Sequence, residues 1–218
     1  MLRSLGAVLW SKCVLKILGV TLDSTLTFDD HINNVMRSCN YHLRALRHLR
    51  PCLSLDVASI AGSRLDYCNA LYYGVTQSTM NKLQRVQNNL ARVVCDVYWR
   101  QAHSADLLHD LPWLLVRKRV MFKAASRCYR SCKFGQPAYL PLASYIAARH
   151  LRSSNSDWLN EVPARIAIAE QHFSHYAPCI WNSLPTTVRS ADSYDCFKAR
   201  LKTPLSDSPT ITTASRPG

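Results

Sequence analysis

Lys82-Leu83-Gln84-Arg85-Val86-Gln87-Asn88-Asn89-Leu90-Ala91-Arg92-Val93-Val94 decides how this chain is read. Apolar residues recur at Met80, Leu83, Val86, Leu90, Val93, Val94 and Val97, mostly three or four apart. That spacing gathers them on one stripe of a 3.6-residue helix. Lys82, Arg85, Asn89 and Arg92 keep the same spacing on a different face. One side can therefore pack on protein while the other offers positive charge and amides to an anion; the plain alternative is a solvated surface face. Ser78 or Thr79 is expected to cap the start, and no Gly or Pro interrupts the run before Trp99-Arg100.

Upstream, Val14 to Leu22 is rich in β-branched and aliphatic residues and predicts a strand with Gly19 inside it. Asp23-Ser24-Thr25 is expected to turn the chain, and Leu26-Thr27-Phe28 to form a short second strand or an approach to the next helix. Asp29-Asp30 could suggest a paired-aspartate metal site. They open a helical pattern instead (Ile32, Val35, Met36, Cys39, Leu43, Leu46, Leu49), where acids cap free N–H groups and suit the helix dipole. That helix is stopped by Pro51, and its later turns carry Arg37, Arg44, Arg47, His48 and Arg50 with no acid. A second helix is expected over Leu55 to Tyr73, opened by Ser54 and closed by Gly74.

Downstream, a short helix is predicted at Ser104 to Asp110, then a long one from Leu114 to Phe134. The latter carries Arg117, Lys118, Arg119, Lys123, Arg127, Arg130 and Lys133 and no acid. Arg119, Lys123, Arg127 and Arg130 form one stripe; Val116, Val120, Ala124 and Cys128 form another. Unopposed charges repel one another unless an anion lies along them, so the basic stripe is a candidate nucleic-acid backbone contact. Pro137 to about Ala148 predicts a short apolar helix, and residues 149–156 a polar loop. Phe173, Tyr176, Ile180, Trp181 and Leu184 show helical spacing, and a last short helix is expected from Ser193 to Leu201. From Pro204 onward the Ser/Thr/Pro-rich sequence predicts a disordered tail.

Over 218 residues, 27 Lys and Arg face 14 Asp and Glu, a formal net charge of +13. Such an excess points to a polyanionic partner, nucleic acid first and an acidic membrane surface second. The nine cysteines include no CxxC pair, so a zinc knuckle or finger is not expected and they read as mostly buried free thiols. Their odd number and the lack of a secretory signal point to a reducing intracellular compartment, nuclear or cytoplasmic, rather than secretion. No run approaches the roughly 18 apolar residues of a membrane span. No nucleophile, base and orienting acid fall into a hydrolase motif.

The succession Ile17-Leu18-Gly19-Val20-Thr21-Leu22-Asp23, Phe28 with His31-Ile32, Ser63-Arg64-Leu65-Asp66-Tyr67-Cys68-Asn69 and Lys82-Leu83-Gln84-Arg85-Val86-Gln87-Asn88 resembles the region downstream of the catalytic core in reverse transcriptases of LINE-type, non-LTR retrotransposons. The resemblance continues through Trp113-Leu114 with Val116-Arg117, Pro137-Ala138-Tyr139-Leu140, Leu151-Arg152-Ser153 and Val162-Pro163-Ala164-Arg165. It ends with Phe173, Ala177-Pro178, Trp181-Asn182-Ser183-Leu184-Pro185, Val188-Arg189 and Phe197-Lys198. Three departures stand out: the chain is short between Asp56 and Ser63, Leu115 stands where proline is expected, and no zinc knuckle follows, unlike in some relatives.

The resemblance implies a mainly α chain with a short N-terminal β segment. Residues 1–28 would end the palm, with Leu18, Gly19 and Val20 in its primer-supporting strand. Residues 29–97 would be a thumb-like helical bundle, 98–203 a basic helical C-terminal region and 204–218 the tail. The palm's paired aspartates and their Mg²⁺ belong to the parent polymerase and are expected before residue 1, so no cofactor and no catalytic residue is assigned here. The expected partner is an RNA–DNA hybrid or RNA, held through phosphates by Lys82, Arg85, Arg92, Arg119, Lys123, Arg127 and Arg130. The other reading is a structural remnant whose apolar residues from Trp158 to Trp181 meet a palm domain or another protein.

Overall fold

Leu18 and Gly19 both sit in the left-handed region, at φ 47° and 81°, and this divides the expected strand in two. The computed structural model describes residues 14–49, 58–97, 102–111, 113–140, 142, 158–163 and 171–207. In it β1 (Leu15–Ile17) and β2 (Val20–Leu22) pair antiparallel, Leu15 opposite Leu22 and Ile17 opposite Val20. Two consecutive positive-φ residues give a reversal whose twist suits a hairpin; glycine adopts it freely, leucine at a cost of about 1–2 kcal/mol. Tyr67 braces the turn by donating its hydroxyl to the Leu18 carbonyl. Beyond this hairpin the described chain is mainly helical.

Asp23 organises the path into the first helix. One carboxylate oxygen accepts the Thr25 and Thr27 N–H groups at 3.0 and 2.9 Å, and the other accepts the Phe28 N–H at 2.9 Å. The Thr25 and Thr27 hydroxyls donate to it as well. Partial burial works to raise the Asp23 pKa, but these bonds outweigh it and hold the carboxyl below its ordinary value. They also offset the strain of Leu26 and Phe28, both left-handed at φ 52° and 59°. Leu26-Thr27-Phe28 is thus an approach to helix α1 (Asp29–Leu49), whose Ile32, Cys39, Leu43 and Leu46 face the interior.

His31, in the first turn of α1, is the polar centre of this unit and is only 2% exposed. Its Nδ1 accepts the Thr21 N–H at 3.3 Å, so the neutral ring carries its proton on Nε2, which lies 3.3 Å from the Tyr72 hydroxyl. A second ring proton would face the Thr21 N–H with another donor. Burial accordingly lowers the His31 pKa from the ordinary value. Well above pH 6.5 the ring is neutral folded or unfolded and His31 adds no pH dependence to stability. Below it the unfolded chain takes up a proton that the folded chain refuses, so stability falls as pH falls. Urea midpoints at pH 7.5 and 5.5 are expected to show this loss, with His31→Gln showing a smaller one; equal losses in both proteins would contradict it.

The expected second helix is interrupted. Helix α2 (Ala58–Asp66) ends at a turn in which Cys68 is left-handed at φ 52°, and a 3-10 turn (Asn69–Tyr72) follows before Gly74 at φ 84°. Buried Asn69 donates to the Asp66 carboxylate at 3.1 Å, and the break lets wholly buried Tyr72 reach His31. Pro51, Ser54, Leu55 and Asp56 lie outside the described residues.

Helix α3 (Gln77–Cys95) packs on α1 and α2. The predicted short helix is α4 (Ser104–Asp110), whose Leu107 and Leu108 cluster with Ala91 under Cys95, Val97, Leu111 and Trp113. Helix α5 (Val116–Phe134) follows and ends at left-handed Gly135. The chain forms two compact units, residues 1–117 and 118–218.

In the second unit, α6 (Phe173–Ser183), a short α7 (Thr186–Arg189) absent from the sequence reading, and α8 (Tyr194–Asp207) follow in order. The expected stop before Pro204 does not occur. Leu201 and Leu205 are buried at 0% and 1% exposure, and burying both carries the helix past the missing proline N–H. Residues 204–207 are therefore helical, while 208–218 lie outside the described residues. Pro137 to Leu140 is a turn closed by Leu140 N–H on the Pro137 carbonyl at 3.0 Å, not the start of a helix; residues 143–148 are outside the description.

Two motif residues of this unit, Asn182 and Arg189, are interior parts. Asn182 brackets the Leu159 backbone, accepting its N–H at 3.0 Å and donating to its carbonyl at 2.9 Å. Buried Arg189 donates to the Leu184 carbonyl at 3.2 Å and lies 4.4 Å over the Trp158 ring. Tyr176, Ile180 and Trp181 are buried.

Candidate nucleic-acid interface

In the first unit the basic face belongs to α3. Its N-cap is Thr76, not Ser78 or Thr79, with the hydroxyl accepting the Thr79 N–H at 3.3 Å. Thr79 is buried and donates its own hydroxyl to Asp29 at 3.1 Å, fixing α3 against the start of α1. Met80, Leu83, Val86, Leu90 and Val94 are buried as the spacing predicts, whereas Val93 and Val97 are half-buried. Lys82 and Arg85 are exposed on the opposite side, with Asn89 half-exposed beside them.

Arg92 leaves this face. Its guanidinium donates to the Ser104 hydroxyl at 2.7 Å at the start of α4, and its Nε is buried with no hydrogen-bond partner among the described residues. The helical period placed Arg92 with Lys82 and Arg85, but the chain's return through α4 covers that end of α3. Arg92→Met is expected to cost about 1 kcal/mol, the lost charge-assisted bond being offset partly by removal of a buried unpartnered N–H. The same variant should leave the salt dependence of nucleic-acid binding unchanged; a reduced dependence would return Arg92 to the interface.

Two glutamines on α3 position the start of α5. Gln84 accepts the Val116 N–H at 2.9 Å and Gln87, 1% exposed, donates to the Leu114 carbonyl at 2.8 Å. Gln84 also donates to Gln87 and Asn88. A sequence signal existed: Gln87 interrupts the buried side of the stripe. Which backbone it would satisfy depended on the tertiary path.

Helix α5 carries seven Lys and Arg and no acid. Val116, Val120, Ala124 and Cys128 are each at most 2% exposed, so the expected apolar stripe is interior. Along the basic stripe Lys123, Arg127 and Arg130 are exposed, whereas Arg119 is half-buried; Arg119 and Lys123 also interact elsewhere in the chain. Arg117, Lys118 and Arg119 occupy the first turn, the positive end of the helix dipole, where each cation costs about 0.3–1 kcal/mol at low ionic strength.

Compared with protein-family models, curated proteins and solved structures, the chain matches none.

Leu18, Gly19 and Val20, expected within one supporting strand, are instead the two turn residues of the hairpin and the first residue of β2. Leu18 is 84% exposed at the tip. The described cysteines are free, but only Cys39 and Cys128 are buried; Cys132 is exposed and the others are half-buried. Burial pushes the Cys39 thiol up to about 11, against the opposing charge of Arg64, which keeps it protonated at neutral pH. Asp29 is engaged by Thr79, and among the described residues no group of three or more His, Cys, Asp or Glu could hold a metal ion. Among the described residues no helix is long and apolar enough to cross a membrane.

Proposed function

We propose that this chain is the part of a LINE-type, non-LTR retrotransposon reverse transcriptase that follows the catalytic palm. In this reading it binds template-primer nucleic acid, an RNA–DNA hybrid or RNA, through phosphates and without reading sequence. No chemical step is assigned to these residues. Helices α1 to α3 are the thumb-like bundle, and α5 lies in the basic C-terminal region.

The ordered motif resemblance supplies the family. The observation that carries the binding reading is α5, a helix with one buried stripe, exposed Lys123, Arg127 and Arg130, and no acid along its length. A merely solvated helix gains from mixed charge and from acids in its first turn. Here three cations stand in that turn instead, which costs stability and suits an anionic partner. Lys82 and Arg85 on α3 add a second exposed basic face in the other unit.

Phosphate contacts position a nucleic acid without identifying it. The test is competition: a labelled RNA–DNA hybrid bound to the full chain is challenged with unlabelled hybrids of unrelated sequence and equal length. Equal competition by all of them is expected. Competition by one sequence only would contradict the backbone-clamp reading, and absence of binding by the folded chain would leave a structural remnant.

A further inference from the structure

Two cations from different helices converge on one aromatic ring in the second unit. The Arg130 guanidinium carbon lies 4.9 Å from the Tyr194 ring centroid, and the Lys198 ammonium nitrogen 4.6 Å from the same centroid. The ring adjoins an aromatic core: Tyr129 lies 6.0 Å from it and stacks on Phe197 at 4.4 Å, and Phe197 stacks on Trp181 at 6.0 Å. The Tyr129 hydroxyl donates to the Ala191 carbonyl at 2.9 Å just ahead of α8. An aromatic column thus rises from the core and ends at two positive charges, each attracted to the electron-rich ring.

Those charges also repel each other, and Asp195 pairs with one of them. Asp195 accepts from Lys198 at 2.7 Å while its own side chain is 90% exposed. A carboxylate so open to water contributes little to stability through this pair, yet it holds one of the three Lys198 N–H donors and offsets the charge that an incoming anion would meet.

We propose that Arg130 and Lys198 form a two-cation pair that takes one backbone phosphate of the bound nucleic acid, and that Asp195 occupies Lys198 until that phosphate displaces it. This rests on the proposed binding function and extends its contact surface from α5 to α8. A guanidinium offers paired donors and an ammonium three rotatable ones, which together match the several acceptor oxygens of a phosphate. Arg127 and Lys123 continue the charge along α5 from this point, which fits a polymer whose charges recur along a line rather than a single carboxylate.

The test is binding of a labelled RNA–DNA hybrid across a salt series by the full chain and by Lys198→Gln, Asp195→Asn, the double variant and Arg127→Gln as a reference, each checked for unchanged helical circular dichroism. Lys198→Gln is expected to lower the slope of log affinity against log salt by about one unit. Asp195→Asn is expected to tighten binding and steepen the slope, and to do neither once Lys198 is glutamine. If Arg127→Gln lowers the slope while Lys198→Gln leaves it unchanged, or if Asp195→Asn tightens binding equally without Lys198, the pair is overturned and the binding function stands. If the unaltered chain shows no salt-dependent binding, both fall.

Discussion

Replacing Phe197 with alanine is expected to cost the second unit about 3–5 kcal/mol. The side chain is wholly buried, stacked 4.4 Å from Tyr129 and 6.0 Å from Trp181 by ring centroids, at the point where α8 meets α5. Nothing small enough to enter could refill that space without leaving ring faces uncovered, so the transfer and cavity terms add. Domains are held by only about 5–15 kcal/mol in total, so the loss approaches the stability of the unit. Denaturant unfolding of the full chain should show it as a transition at much lower urea. A shift below about 1 kcal/mol would mean that the aromatic column does not hold this unit together. Because Tyr194 depends on the same column, Phe197→Ala should also weaken hybrid binding more than its distance from the surface suggests.

Neutralising Lys123, Arg127 and Arg130 together to glutamine is expected to have the largest effect on binding. Each phosphate contact contributes about 0.9 to the slope of log affinity against log salt, so the triple variant should lose about two to three units. All sequences should weaken alike, since the contacts carry no base information. The changed side chains are exposed on a helix whose buried stripe is untouched, so helical content should be retained. A triple variant that keeps the parent slope would assign these charges to solvent, leaving Lys82 and Arg85 as the remaining surface candidates.

The parts of the fold legible in the sequence are those set by local period and local caps. Ser104 to Asp110 is helical as read, and Val116, Val120, Ala124 and Cys128 are interior as their spacing required. The parts not legible depend on distant partners. Leu18 is strained into the left-handed region at φ 47° within a segment of strong β propensity, so the hairpin looked like one strand. Cys68 at φ 52° breaks a helix that no Gly or Pro announces, because buried Tyr72 must meet His31. Pro204 failed to stop α8 because two buried leucines flank it in the helical period.

The candidate interface divides in the same way. Lys82, Arg85, Lys123, Arg127 and Arg130 lie exposed where helical spacing put them. Arg92 was drawn away by Ser104, twelve residues on, a partner that no local pattern specifies. Tyr194 and Lys198 were invisible as neighbours of Arg130, because their meeting is made by the stacking of Tyr129 on Phe197. Several motif residues of the resemblance, among them Asp23, His31, Asn182 and Arg189, serve backbone and core contacts rather than the surface.

The most direct test of a phosphate-binding clamp is the affinity of the full chain for a labelled RNA–DNA hybrid, measured across a salt series beside the two corresponding single strands. The account predicts a steep fall of log affinity with log salt and tighter binding of the hybrid than of either strand. A folded chain whose affinity is flat with salt, or which prefers a single strand, would contradict it.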